Sequence, residues 1–266
     1  MQPLTCSLIQ LSAGRGWTTN LAKAKRMIRD CPESDVIVLP EMFTLRASDK
    51  VQREAAEEVT GPTIKQLAEL ARKRSCWIVA GSIIERAGAK RYNTCVVLDR
   101  KGKTAAVYRK IHLFDVQLDK DHAIQESRSF SAGSEPVMVN IEGWRCGLSI
   151  CYDLRFPELY RCYAEYAAHV LFVPANFTDK TGRAHWELLL RARAVENQCY
   201  VVAPNQCGKH PHLGVKSHGH SMIVGPWSDV MARAAYSEGI ITGVLNPAEL
   251  EKVRRQLPAL DHRRLN

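Results

Sequence analysis

A chain of 266 residues, 45% apolar and 24% charged, has enough material to bury one large α/β core and is far from the composition of a disordered protein. Residues 1–11 lack a basic run followed by an apolar segment, and no apolar stretch approaches the ~20 residues needed to span a bilayer. With nine scattered cysteines, which read as thiols of a reducing compartment, the expectation is a soluble cytoplasmic protein with no structural disulfide and no membrane partner.

Residues 4–10 read as a strand, and residues 17–30, with Leu21, Ala24 and Ile28 at helical spacing, as an amphipathic helix. Val36, Ile37, Val38 and Leu39 make a continuous apolar strand of the kind buried on both faces. Pro62 opens a second helix carrying Ile64, Leu67, Ala68 and Ala71. Strands are expected over 77–84 and 92–98, and a hairpin turn containing Gly102 leads to another over 105–108. Farther on, strands over 144–150, 170–173, 200–203, 221–224 and 240–245 complete a buried set, with helices over 156–166 and 185–197. This alternation predicts a layered α/β fold, and the hairpin signals argue against an all-parallel sheet. No linker or internal repeat interrupts it, so residues 1–266 are expected to form one domain. The formal charge of +9 is spread over three regions without a recognition motif, which argues against nucleic-acid binding.

Three polar residues stand at the ends of apolar runs, where packing gives no reason for them: Glu41, Lys110 and Cys151. Together they supply a base, a cation and a nucleophile at strand ends, where sites of layered α/β folds assemble. Each also has a plainer reading: Glu41 as a helix cap, Lys110 as a surface lysine, Cys151 as core packing. The segment Gly147-Leu-Ser-Ile-Cys-Tyr-Asp-Leu-Arg-Phe-Pro-Glu158 favours the joint reading. A strand entering a tight turn at Cys151, with a helix starting near Phe156, puts the thiol by a positive helix end, which favours a thiolate. Backbone N–H groups after the turn can face a developing oxyanion.

Leu39-Pro-Glu-Met-Phe43, Tyr108-Arg-Lys-Ile-His-Leu-Phe-Asp115 and Ile150-Cys-Tyr-Asp-Leu-Arg-Phe-Pro-Glu158 resemble, in order, the three signature blocks of the nitrilase superfamily of carbon–nitrogen hydrolases. The resemblance implies a four-layer α-β-β-α sandwich with two mixed sheets covered by helices, and no metal or organic cofactor. It implies Glu41 as general base, Lys110 as the cation at the oxyanion, Cys151 as nucleophile and Glu126 as the glutamate that orients the site. Without it, Glu126 reads as an exposed loop acid. Segments 185–196, 198–201, 219–222 and 262–264 are similar to the Nit subgroup, and Ala123-Ile-Gln-Glu-Ser-Arg128 resembles its bacterial amidases of deaminated glutathione.

The substrate implied is a small carboxylate-bearing amide, with an ω-amide of an α-keto acid as the alternative and a homodimer as the assembly. Substrate contacts are expected from Tyr152, through a nearby backbone N–H, and from Arg155 and Asn176. Arg155 can equally pair with Asp153 or Glu158. Residues 116–122 are longer and more charged than in the glutathione-type enzymes and are expected to reshape the pocket entrance. Competing readings are a nitrile hydrolase, a non-catalytic binding protein of the same fold, and a zinc site from Cys207, His210, His212, His218 and His220. Zinc is disfavoured by the spacing and by Gly208, Pro211 and Gly214, which suggest a mobile surface loop.

Overall fold

Strands whose two faces are both apolar must be covered on both sides, and that requirement stacks the protein into layers. The structure is a computed structural model that describes residues 1–119 and 122–265. Strands β1 (Leu4–Gln10), β2 (Val36–Val38), β3 (Trp77–Val79), β4 (Ile83–Ala87), β5 (Lys90–Leu98) and β6 (Thr104–Arg109) belong to a first sheet. A separate hairpin follows, β7 (Asp115–Asp119) with β8 (His122–Gln125). The second sheet holds β9 (Met138–Ile141), β10 (Trp144–Leu148), β11 (Val170–Phe172), β12 (Tyr200–Ala203), β13 (Met222–Val224) and β14 (Val230–Arg233). Strand β15 (Gly239–Leu245) returns to pair antiparallel with β1.

Both sheets are mixed. In the first, β1, β2 and β3 run parallel and β15, β4, β5 and β6 add antiparallel pairs; in the second, β10, β11 and β12 run parallel between antiparallel flanks. Val36, Val38, Val79, Cys95 and Val97 share a core with residues of the second sheet. The intervening Ile37, Leu39, Ile78, Val96 and Leu98 pack instead with α1 (Trp17–Asp30) and α3 (Pro62–Arg74), between which lies the short α2 (Asp49–Glu54). Helices α4 (Pro157–Glu165) and α5 (Asp179–Asn197) cover the second sheet through Tyr160, Tyr163, Trp186 and Leu190, and α6 (Pro247–Gln256) follows β15. The four-layer sandwich expected from the sequence is the observed architecture.

Three expectations need correction. The run 77–84 is two strands, because Gly81 adopts φ +47 and breaks the extended chain. A Cβ at Gly81 would lie 2.0 Å from the Pro40 carbonyl oxygen, so only glycine lets these loops meet. Strand β15 is not buried: it forms a sheet edge with Thr242 and Val244 exposed. Helix α5 begins at Asp179, not 185, its first turn hidden by Thr181 and Gly182, which are poor helix formers. All nine cysteines are free thiols, and among the described residues no helix is long and apolar enough to cross a membrane.

Candidate active site

The ends of β2, β6 and β10 deliver Glu41, Lys110 and Cys151 to one cavity of about 270 Å³, and the short turn after β8 adds Glu126. Lys110 Nζ donates to Glu41 Oε1 at 3.0 Å and to Glu126 Oε2 at 2.8 Å. Asn93 Nδ2 donates to both acids as well, at 2.9 Å to Glu41 and 3.0 Å to Glu126, while the Phe114 N–H reaches Glu126 Oε2 at 2.7 Å. The Cys151 thiol hydrogen-bonds with Glu41 and feels the charge of Lys110. Lys110 is 1% exposed, Glu41 5% and Cys151 8%, so the plainer surface and cap readings fail for the first two.

The backbone carrying the thiol is held in a strained conformation. Cys151 has φ +50, a left-handed value uncommon for a side-chain-bearing residue, and its N–H donates to Pro174 O at 3.0 Å. A 3-10 turn over Cys151–Arg155 follows, and the Tyr152 N–H has no backbone acceptor among the described residues. Fully buried Asp153 fastens this elbow to the end of β6: its carboxylate accepts from Ile150 N at 2.8 Å, Tyr108 OH at 2.7 Å, and His112 N at 2.9 Å. The loop bearing Glu41 is fixed similarly. Met42, with φ +52, donates its N–H to Ser82 Oγ, and Gln206 Nε2 donates to the carbonyls of Glu41 and Met42.

Electrostatics overturn the thiolate expectation. Burial and then the charge of Glu41 push the Cys151 thiol well above its ordinary range, outweighing the opposite pull of Lys110. Helix α4 starts only at Pro157, and a helix dipole acts little beyond its first turn. Burial also acts against the charge on Lys110, but Glu126 and Glu41 outweigh it and hold the ammonium well above its usual value. A protonated thiol beside an acceptor carboxylate, with a fixed ammonium and a backbone donor, is an arrangement suited to acyl transfer through a covalent intermediate.

The other sequence-derived positions border the thiol from a second side. Tyr152, Arg155 and Asn176 line a recess of about 20 Å³ that also touches Cys151. Arg155 pairs with neither Asp153 nor Glu158; its guanidinium faces the rings of Phe177 and Tyr152, and Nη1 lies 3.2 Å from His185 Nδ1. The Asn176 N–H points at the Cys151 sulfur, and its Oδ1 accepts from Ser217 Oγ at 2.6 Å.

The histidines 210–220 fall into two groups, His210 and His212 at the cavity wall and His218 and His220 with ring centroids 4.7 Å apart. His210 Nδ1 accepts from His212 N and Leu213 N, His218 Nδ1 lies 3.4 Å from Asp179, and His220 Nδ1 meets Ala234 O. Among the described residues no three His, Cys, Asp or Glu side chains are grouped to hold a metal. Nor is residues 207–220 simply a surface loop: Cys207, His210, Ser217 and His218 are buried, and the segment walls the cavity. Ala123, Ile124 and Gln125 of β8 line it too, whereas Lys120 and Asp121 of the charged stretch lie outside the described residues.

Sequence reasoning missed Asn93, Arg46 and Gln206. Asn93-Thr94 in the middle of the apolar β5 was an available signal for the first: both are buried where a strand core wants hydrocarbon.

The carbon–nitrogen hydrolase family model matches residues 7–255. The chain is 38% identical over 270 residues to the deaminated glutathione amidase of Synechocystis sp., covering 99% of each chain. It is 36% identical to human omega-amidase NIT2 over 99% of this chain and 96% of that one. In structure it is similar to the C. elegans NitFhit protein (TM-score 0.92, 35% identity, 99% of this chain and 66% of that one). The yeast protein Nit3, a member of branch 10 of the nitrilase superfamily, gives a TM-score of 0.88 at 31% identity over 99% of this chain and 97% of that one. This chain therefore belongs to the carbon–nitrogen hydrolase family, in the Nit branch of the nitrilase superfamily, and is an amidase with an active-site cysteine that acts on carbon–nitrogen bonds other than peptide bonds.

Proposed function

We propose that this protein hydrolyses a small, linear, carboxylate-bearing amide to the acid and the free amine, with deaminated glutathione, whose γ-amide would release cysteinylglycine, as the leading substrate; a primary amide would release ammonia. The observation that carries the reading is the convergence of Cys151, Glu41, Lys110 and Glu126 on one cavity, with Lys110 Nζ 3.0 Å from Glu41 and 2.8 Å from Glu126. An amide is resistant because resonance stabilises it and its nitrogen leaves poorly, so the site must stabilise an oxyanion and protonate the nitrogen. Glu41 accepts the thiol proton as the sulfur attacks the carbonyl carbon, which avoids a free buried thiolate. Lys110 Nζ and the Tyr152 N–H donate to the oxygen that becomes negative. Glu41 passes its proton to the nitrogen, the C–N bond breaks and the amine, or ammonia from a primary amide, leaves. Water, deprotonated by Glu41 in a second turn, attacks the thioester, and the thiol departs with the proton. Glu126 holds Lys110 in line throughout.

Tyr152, Arg155 and Asn176 supply further substrate contacts from the small recess, which has room for about one water. An ω-amide of an α-keto acid, α-ketoglutaramate or α-ketosuccinamate, is the second reading, favoured by the 36% identity to human omega-amidase NIT2. Residues 1–266 act as one domain in the cytoplasm, and a second copy in a homodimer would cover the exposed Leu188 and Val195 of α5.

Release of cysteinylglycine from deaminated glutathione, and of ammonia from α-ketoglutaramate, simple aliphatic amides and their matched nitriles, tests the reading. The highest kcat/KM is expected for deaminated glutathione. Preference for α-ketoglutaramate moves the assignment to ω-amidase, preference for nitriles moves it to nitrile hydrolysis, and no release from any of them overturns it.

A further inference from the structure

Among the described residues the buried cation Arg46 has no counterion within salt-bridge distance. It lines the same cavity as Cys151 and is 1% exposed. Its guanidinium donates only to neutral oxygens: Nε to Ala13 O at 2.7 Å, Nη1 to Ser217 Oγ at 2.8 Å, and Nη2 to Ser12 Oγ at 2.8 Å and Cys207 O at 3.3 Å. Of the five N–H groups of a guanidinium, one on Nη1 is left without an acceptor among the described residues. The other charges of the cavity wall are matched, Lys110 by Glu41 and Glu126, and Asp49 by Arg53 and Arg91. Glu238 acts on Arg46 from a distance but is itself held by Lys23 at 2.6 Å.

A buried charge without a partner is costly, and the cost is relieved when an anion arrives. Burial draws Arg46 down to about 10, which still leaves it charged at neutral pH. Arg46, Ser217 and Asn176 form a hydrogen-bonded chain along the wall, and the Asn176 N–H ends that chain at the Cys151 sulfur. The recess beside Arg155 holds about one water and is too small for a carboxylate on a chain.

We propose that Arg46, with Ser217 beside it, is an anion subsite that holds the carboxylate at the far end of the substrate from the scissile amide, so that the enzyme selects monoamides of dicarboxylic acids over neutral amides. This rests on the amidase reading above and deepens it by naming the residue that reads charge. Arg46 is a specificity residue: it touches the part of the substrate that does not react.

The test compares kcat and KM for glutaramate and pentanamide, which match in chain length and differ in the terminal carboxylate. In Arg46→Gln the ratio of kcat/KM values, glutaramate over pentanamide, should fall about 10- to 100-fold, the loss of one charged hydrogen-bonded contact, and the fall should be mainly in KM for glutaramate. Arg46→Lys should recover part of the ratio. Arg155→Gln should affect both substrates alike. A folded Arg46→Gln protein whose ratio stays within about 3-fold of wild type, or a ratio that collapses in Arg155→Gln instead, overturns the subsite while leaving the amidase reading intact. Should Arg46→Gln fail to fold, inhibition of the unmodified enzyme decides: glutarate should compete at least about 10-fold better than pentanoate, and equal inhibition overturns the proposal. If the unmodified enzyme cleaves neither amide, the subsite proposal falls; the substrate reading on which it rests falls with it only when deaminated glutathione and α-ketoglutaramate are also left intact.

Discussion

The floor of the cavity and its rim are built to different standards. On the floor, Glu41, Lys110 and Cys151 ride on strand ends of two packed sheets, and Asn93, Phe114 N–H and Asp153 fix what surrounds them. At the rim, His212 and Leu213 are exposed, and the segment is held by its own turn hydrogen bonds and an isolated bridge between Lys209 and Lys216, not by a sheet. The difference separates two tasks. Bond-breaking groups need placement within fractions of an ångström, which rigid strands supply, whereas selection among related amides can be adjusted by segments with fewer constraints.

Attacking the floor should therefore cost far more than attacking the rim. Cys151→Ala is expected to abolish amide hydrolysis while the circular-dichroism melt stays near that of the parent; retained turnover would remove the nucleophile assignment. Glu41→Gln should lower kcat by about 100- to 10,000-fold, the usual worth of general acid–base help. Next comes Asn93→Ala, which strips a donor from both glutamates and should destabilise the fold by about 1–3 kcal/mol, read by urea denaturation, with kcat falling as the acids lose alignment. An unchanged kcat would make Asn93 a packing residue only.

The smallest effect belongs to the wall segment. Burial, then Arg46 and His212, lower His210 from 6.5 to about 4. Between those values the unfolded chain binds a proton that the folded protein refuses, so this residue's contribution to stability is complete above pH 6.5 and is lost as pH falls toward 4. His169, also near 4, adds the same trend from another place. The drop in Tm from pH 7.5 to pH 5 should be shallower in His210→Gln than in the parent; identical drops would mean that the wall does not sense acid.

How much was legible follows the same division. Glu41, Lys110 and Cys151 stood out because each interrupts a hydrophobic pattern at its end, a local signal. Glu126 became readable only through the signature blocks, since nothing near it distinguishes a site acid from a loop acid. Arg46 carried no local mark at all: its burial is created by residues 12, 13, 207 and 217, which the chain brings from far away. Strand β14 and helix α6 escaped notice because both are largely solvent-facing, with few buried side chains to set a period. Where apolar content was highest the opposite error occurred, and the continuous run 77–84 concealed the break at Gly81.

The suppressed ionisation of Cys151 has a consequence outside the reaction itself. Peroxide and electrophilic metabolites attack the deprotonated form of sulfur, and oxidative damage follows that form's abundance. Because burial and the charge of Glu41 raise the Cys151 thiol above its ordinary value, the resting protein is expected to react more slowly with peroxide than a free cysteine does at the same pH.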